Sequence, residues 1–264
     1  MQNVRRLGLG LVLAGLVWSI APALGVEVNP LPQAAPALQL EPIPVQLNSA
    51  TPVDQRPVET LIIGVDLSRS NPIIRNADFA RKVGARVRGM IAPLGPRSRV
   101  VLRTFGSYDT AANQRGFDQV ITLNAFTATN AADLAGRLVE GVPALVRTGK
   151  WKAQNETNII GFLDNMAKVA NCGAMTTRIV LASDGIEDSE FANLARPKKG
   201  GALALPAPKP KADGTPQFAG CTEFLVLGIG QGTGSPKDTE RLSQEWQAYA
   251  TAAGFKQVTL LNDW

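Results

Sequence analysis

Two short runs of oxygen-bearing side chains stand out in a sequence of 264 residues that contains no histidine. An Asp-x-Ser-x-Ser run occupies residues 66–70, and a Ser-Asp-Gly run occupies residues 183–185. The absence of histidine removes Ser-His-Asp and Cys-His nucleophiles and every zinc site that needs imidazole. Carboxylate and hydroxyl oxygens form a hard donor set, which suits Mg²⁺, or Mn²⁺ or Ca²⁺, and does not suit zinc or copper.

The elements around these runs alternate between short apolar stretches and segments with helical periodicity. This alternation predicts a Rossmann-like, doubly wound α/β sheet, mostly parallel, with helices on both faces. The loop before the third strand is too short for a crossover helix, so that strand is predicted to be antiparallel at the edge. Strands are predicted at residues 60–65, 99–105, 117–126, 178–182, 223–229 and 257–261, and helices at 78–91, 131–146, 158–170 and 237–253.

Asp66 and Asp184 each follow a predicted buried strand. In an open α/β sheet, ligands bind beyond the carboxyl ends of the strands, where the strand order reverses. The two carboxylates are therefore predicted to converge at this edge. Packed together they would repel each other and raise the pKa of one of them, unless a cation lies between them.

Three segments together resemble the metal-ion-dependent adhesion site of the von Willebrand factor type A family. These are the 66–70 run, Thr157-Asn158-Ile159 at the start of a helix, and the 183–185 run, and the resemblance covers residues 60–261. It implies that Ser68 and Ser70 bind a divalent ion directly, and that Thr157 binds it directly or through water. Asp66 and Asp184 would supply charge, partly through bound water. The predicted metal ligands are thus Asp66, Ser68, Ser70, Thr157 and Asp184.

One departure from the family pattern concerns the residues before Thr157. Family members usually have glycines there, whereas this chain has Asn155 and Glu156. Glu156 could crowd the ion, add a ligand or point away. The acidic residues Glu187, Asp188 and Glu190 could likewise line the rim of the site or form a solvated loop.

The resemblance implies a binding module and not an enzyme. Two carboxylates offset the double charge of the ion, the hydroxyl ligands are neutral, and the remaining position can take a carboxylate of a protein partner. One alternative is a haloacid dehalogenase-like phosphohydrolase, because residues 184–188 imitate its Asp-Gly-x-x-Asp run; however, Ser68 stands where the acid/base aspartate would be expected. Another alternative is a structural exported domain whose contacts ignore the metal. The glycine-rich stretch 228–234 departs from a dinucleotide fingerprint and is interpreted as a turn.

The amino-terminal sequence predicts export. Two arginines, an apolar run from residue 7 to about residue 23, and small residues before Val26 are typical of a cleaved secretory signal peptide at residues 1–25. The protein is therefore expected to be periplasmic or secreted, or else held at the inner membrane by an uncleaved segment. Residues 26–58 are proline-rich and predict an extended tether, 59–264 the folded domain, and 197–216 a surface loop insertion.

Two further features complete the prediction. Cys172 and Cys221 each precede a central strand, and a disulfide between them is expected in an oxidising compartment, with two separate buried thiols as the alternative. The net charge of +5 is modest, the basic residues are scattered, and only 6% of residues are aromatic, which does not favour nucleic-acid binding.

Overall fold

The computed structural model describes residues 52, 55–107, 118–195 and 204–263. The predicted signal peptide at 1–25, nearly all of the 26–58 tether and the first part of the 197–216 insertion lie outside these residues. Within the described ranges, no helix is both long enough and apolar enough to cross a membrane.

Six strands form one sheet in the order β3-β2-β1-β4-β5-β6. All neighbouring strands are parallel except β2 and β3, which pair in antiparallel fashion. This confirms the predicted Rossmann-like, mostly parallel α/β architecture with one antiparallel edge strand. The strands are β1 (Glu59–Asp66), β2 (Arg99–Phe105), β3 (Gln119–Thr122), β4 (Thr176–Ala182), β5 (Glu223–Leu227) and β6 (Gln257–Leu261).

Helices cover both faces of the sheet and create two apolar cores. Along β1, Leu61 and Ile63 point into the core that holds α1 and α2, while Ile62 points into the core that holds α3 and α4. This alternation follows from the two-residue period of a strand, and it explains why every residue of β1 is buried. The helices are α1 (Ala77–Ile91), α2 (Ala128–Arg147), α3 (Ile159–Ala167) and α4 (Pro236–Ala252), and a short 3₁₀ helix spans Pro72–Ile74.

The observed bounds differ most from the predicted ones at β3. Ten residues at 117–126 were expected in this strand. Residue 117 lies outside the described residues, and of residues 118–126 only Gln119–Thr122 form the strand, with largely exposed side chains. β3 pairs with β2 alone, and the chain leaves the sheet after Thr122, where Leu123 is buried. An edge strand pairs on one side only, and the side chains of β3 are largely exposed. Few apolar residues therefore mark in the sequence where this strand begins and ends.

A disulfide joins Cys172 and Cys221, as predicted, with Cα atoms 4.5 Å apart. The two cysteines precede the neighbouring strands β4 and β5, at the amino edge of the sheet. The described part of the 197–216 insertion is mostly exposed and runs over α3 and α4. It contacts them where the Leu205 amide donates to Glu245 and where Lys209 pairs with Asp164.

Candidate metal centre

The site lies where the chain changes direction across the sheet. After β1 the chain forms β2 and β3 on one side, and from β4 it forms β5 and β6 on the other. The carboxyl ends of the adjacent strands β1 and β4 therefore meet at the reversal of strand order, which is the usual ligand position in such sheets. Asn71 holds these two ends together, because its side-chain amide donates to the carbonyl of Asp66 at 2.8 Å and to that of Ala182 at 3.0 Å.

Asp66 is the last residue of β1 and is completely buried. Its Oδ1 accepts a hydrogen bond of 2.7 Å from the amide of Ser68, and its Oδ2 accepts one of 2.7 Å from the hydroxyl of Ser183. The first bond curls the 66–70 loop back over the strand end. As a result the hydroxyl of Ser68 lies 3.1 Å from that of Ser70, and both belong to the same short loop.

Asp184 reaches the same edge from β4 and is also completely buried. Its Oδ1 accepts a hydrogen bond of 3.0 Å from the Ile186 amide, but its Oδ2 is buried without a hydrogen-bond partner. Ser70 approaches the Asp184 carboxyl closely enough to lower its pKa, without completing a hydrogen bond to Oδ2. On another side Gly232 closes over this oxygen, since a β-carbon at position 232 would lie 2.6 Å from it.

Thr157 belongs to a loop that is fastened on both sides by backbone hydrogen bonds. Gln154 exchanges them with the 66–70 loop, through Leu67 and Arg69, at 2.8 and 2.9 Å. Thr157 exchanges them with Asp188, at 3.1 and 2.9 Å. Thr157 is thus buried in a loop that bridges the serine loop and the segment after Asp184.

Glu156, the residue before Thr157, is exposed. Glu187 differs from the expectation of a solvated acidic loop. It is completely buried, and its carboxylate accepts hydrogen bonds from the first amides of α3. Burial is possible there because a helix amino terminus offers unpaired amides and a favourable dipole.

The electrostatics of the site favour uptake of positive charge. Burial, and then the neighbouring Asp184, raise the pKa of Asp66 to about 7. Burial also raises the pKa of Asp184, against the opposing effects of the Ile186 amide, Ser70 and Arg75. Burial raises the pKa of Glu187 to about 8, despite the hydrogen bonds that it accepts. Neither Asp66 nor Asp184 forms an ion pair with Lys or Arg in the described part of the chain.

The donor chemistry at this edge is compatible with a hard divalent ion and lacks the imidazole and thiolate ligands of zinc and copper centres. Within residues 52, 55–107, 118–195 and 204–263, no three His, Cys, Asp or Glu side chains cluster to hold a metal. The donors at this edge are two carboxyl groups and several hydroxyls, which are ligands that Mg²⁺ and Ca²⁺ take. The unpartnered Oδ2 of Asp184 supplies an oxygen that nothing else in the described chain uses.

The predicted site residues fall into two groups. Asp66, Ser68, Ser70 and Asp184 meet at one edge, and the backbone of Thr157 is held beside them. Sequence reasoning missed the roles of Asn71, Ser183 and Glu187, whose partners are distant in the sequence. Asn71 and Ser183 each adjoin a predicted ligand, and this position next to the motif was the only available signal.

No family model matches the sequence, and no curated protein matches it. Among solved structures, the chain is similar to the pilus adhesin SpaC from Lactobacillus rhamnosus GG in its open conformation, with 15% identity over 77% of this chain and 28% of that chain and a TM-score of 0.37. It is also similar to the human COPII-coat protein Sec24c, with 14% identity over 79% of this chain and 30% of that chain and a TM-score of 0.39. The chain spans under a third of either structure's length. The fold assignment therefore rests on the strand order and directions described above.

Proposed function

We propose that this protein is an exported, metal-dependent protein-binding module. In this proposal a divalent cation, Mg²⁺ or else Mn²⁺ or Ca²⁺, is bound by Asp66, Ser68, Ser70, Thr157 and Asp184, and it recruits an acidic side chain of a protein partner. The observation that carries the proposal is the buried, unpartnered Oδ2 of Asp184, next to a second buried carboxyl group that no cation of the described chain neutralises.

Each residue has a distinct role in this proposal. Asp66 and Asp184 contribute negative charge from two adjacent strands, and the Ser68 amide and Ser183 hydroxyl fix the orientation of Asp66. Ser68 and Ser70 add neutral oxygens, so they complete a binding shell without cancelling more of the positive charge. A bound ion would supply a positive charge that attracts an incoming carboxylate. The chain itself holds the ligands in place, and four of the five are buried, the partly exposed Ser70 being the exception.

The disulfide supports an exported location. Disulfides such as Cys172–Cys221 form and persist in oxidising compartments and are rare in the cytosol. A periplasmic or secreted protein is therefore proposed, with anchoring to the inner membrane as the alternative for residues 1–25.

The direct test is calorimetric titration of the chelator-treated protein with Mn²⁺ and Mg²⁺. We expect saturable heats for the wild type and none for Asp66→Ala. Asp133→Ala is the matched control, because it removes one carboxylate from the surface of α2 and should bind as the wild type does. Equal heats in the wild type and Asp66→Ala would remove the metal site from the proposal.

A second experiment separates the classes of function. Partners captured from an extracellular fraction by the immobilised protein should be lost on adding a chelator and should not bind Asp66→Ala. Capture that ignores the chelator would indicate a metal-independent structural domain. Turnover of a generic phosphate ester with Mg²⁺ would indicate a phosphohydrolase, although Ser68 occupies the acid/base position and Glu187 is committed to α3.

A further inference from the structure

We infer that Glu187 is a positioning residue for the proposed metal centre, because its carboxylate fastens the start of α3, and with it Thr157, to the loop that carries Asp184. This inference rests on the proposed function, since it concerns how the same site is held. It assigns a role to a buried acidic side chain that is not itself among the proposed ligands.

The first observation is the hydrogen bonding of Glu187. Its Oε2 accepts bonds from the amides of Ile159 at 2.7 Å and Ile160 at 3.3 Å, the first two residues of α3. Its Oε1 accepts a bond from the hydroxyl of Ser189. Glu187 lies three residues after Asp184, and Ile159 lies two residues after Thr157. One side chain therefore connects the two loops within a few bonds of a proposed ligand in each.

The second observation is that neighbouring hydrogen bonds join the same two segments that Glu187 connects. Thr157 and Asp188 exchange two backbone hydrogen bonds, and the Asn158 side chain donates to Glu190 at 3.1 Å. Together with the bonds of Glu187, these contacts join residues 157–160 to residues 187–190. The second of these segments lies directly after the Asp184 loop.

Helix capping alone does not account for Glu187. The start of α3 already has its own cap, since the Oδ1 of Asn158 accepts the Gly161 amide at 2.6 Å. The caps of α1 and α4 are Asn76 and Ser235, which are local residues. A completely buried carboxyl group is more costly to desolvate than such a neutral cap. Its use here is explained if the position of α3 relative to Asp184 matters for the site.

A positioning role for Glu187 predicts how far the metal affinity falls when this side chain is replaced. Residues that orient metal ligands without touching the ion typically change the affinity about 10- to 100-fold when they are removed. We expect a loss in this range for Glu187→Ala. Glu187→Gln keeps an oxygen for the two α3 amides, so it should bind Mn²⁺ less than about tenfold more weakly than the wild type does.

The experiment is calorimetric titration of the full chain with Mn²⁺, combined with thermal unfolding and amide hydrogen exchange. Glu187→Ala should weaken Mn²⁺ binding and increase the exchange of the Ile159 and Ile160 amides, and Glu187→Gln should restore both. The control is Asn76→Ala, which removes the cap of α1 on the opposite face. It should lower the unfolding temperature and leave Mn²⁺ affinity unchanged.

Each outcome decides the inference. If a folded Glu187→Ala binds Mn²⁺ as tightly as the wild type does, Glu187 is only structural and the inference is wrong. If Glu187→Gln loses as much affinity for Mn²⁺ as Glu187→Ala does, the negative charge of Glu187 supports binding and its hydrogen bonds to α3 do not. The inference is then wrong. Should Glu187→Ala fail to fold, Ser189→Ala, which removes the hydroxyl that orients Glu187, must weaken binding, and unchanged affinity overturns the inference. A wild type that binds no Mn²⁺ refutes the proposed function instead.

Discussion

The two edges of the sheet treat buried charge in opposite ways. At the amino edge, the Glu59 carboxylate accepts hydrogen bonds from Nε of Arg178 at 3.0 and 3.2 Å, and Nη1 of Arg178 lies 3.8 Å from Glu223. At the carboxyl edge, Asp66 and Asp184 are more deeply buried and have no such partner in the described chain. The chain thus neutralises its own charge at one edge and leaves it to an external proton or cation at the other.

This difference separates stability from function. A buried carboxylate with an internal cation is a structural group, and removing its partner leaves an uncompensated charge. A buried carboxyl group without an internal cation destabilises the metal-free protein, and a bound cation can offset that loss. Such groups are characteristic of functional sites. The disulfide also lies at the amino edge, so the crosslink and the internal ion pairs are on one side of the sheet and the candidate site is on the other.

The largest effect is expected from the disulfide. Replacing both cysteines, as Cys172→Ser with Cys221→Ser, removes a crosslink with a sequence separation of 49 residues. The loss of chain constraint should lower the free energy of unfolding by about 4 kcal/mol. The midpoint of urea unfolding measures this loss. Mn²⁺ affinity should hardly change, because the crosslink lies at the opposite edge, and a large loss of affinity would show that the edges are coupled.

Neutralising one acid at each edge should change stability with opposite signs. Glu59→Gln leaves the Arg178 guanidinium with only the more distant Glu223 carboxylate and should cost about 3 kcal/mol. Asp66→Asn removes an unpaired buried charge and should stabilise the metal-free protein at pH 8 by about 1 kcal/mol, while abolishing Mn²⁺ binding. Urea unfolding in the presence of chelator measures both. Destabilisation by Asp66→Asn under these conditions would contradict the contrast between the edges.

The carboxyl edge should also make the metal-free protein less stable as the pH rises. The pKa of Asp66 is raised from 3.8 to about 7, and that of Glu187 from 4.5 to about 8. Between these limits the folded state binds more protons than the unfolded state, so stability is lost from about pH 4 up to about pH 8. From pH 5.5 to pH 8 the share of this loss due to Asp66 alone should be on the order of 2 kcal/mol. Urea unfolding with chelator at several pH values measures it.

One variant and one metal serve as controls for this pH dependence. Asp66→Asn should flatten part of the slope, because it removes one of the groups that must ionise. Saturating Mg²⁺ should flatten it too, since a bound cation favours the ionised carboxyls. A metal-free protein that gains stability between pH 5.5 and pH 8 would contradict the raised pKa values.

The fold was predictable because its signals are local and repeated. The bounds of β2 and β6 agree with the prediction, since in each strand a polar residue precedes a short, mostly apolar run that ends at Phe105 or Leu261. The Asp-x-Ser-x-Ser run was recognisable because its members are consecutive at a strand end. Asp184 could then be placed beside it because both aspartates follow predicted buried strands, whose carboxyl ends meet where the strand order reverses.

The rest of the site depends on contacts that no local pattern contains. Glu187 looks like part of a solvated acidic stretch, and its burial follows only from its bonds to amides 27 and 28 residues earlier. Asn71 acts on a carbonyl 111 residues away. Residues of this kind support a site from distant segments, and their side chains follow neither a helical nor a strand period.

The smallest effect is expected at Gly232, where it tests the space beside the unpartnered oxygen. A β-carbon at this position would lie 2.6 Å from Oδ2 of Asp184 and 3.0 Å from the Ile186 side chain. Gly232→Ala should therefore displace the Asp184 carboxyl and weaken Mn²⁺ binding by about tenfold, or about 1.4 kcal/mol. Its effect on unfolding should be below about 1 kcal/mol, because the displaced carboxyl can shift within its loop.

The matched control for this change lies two residues further along the same loop. A β-carbon at Gly234 would meet nothing within 4 Å, so Gly234→Ala adds the same methyl group without touching the site. It should bind Mn²⁺ as the wild type does in parallel calorimetric titrations. If both variants bind equally well, the space beside Asp184 is not where the cation lies, and the carboxyl edge would then differ from the amino edge in charge but not in function.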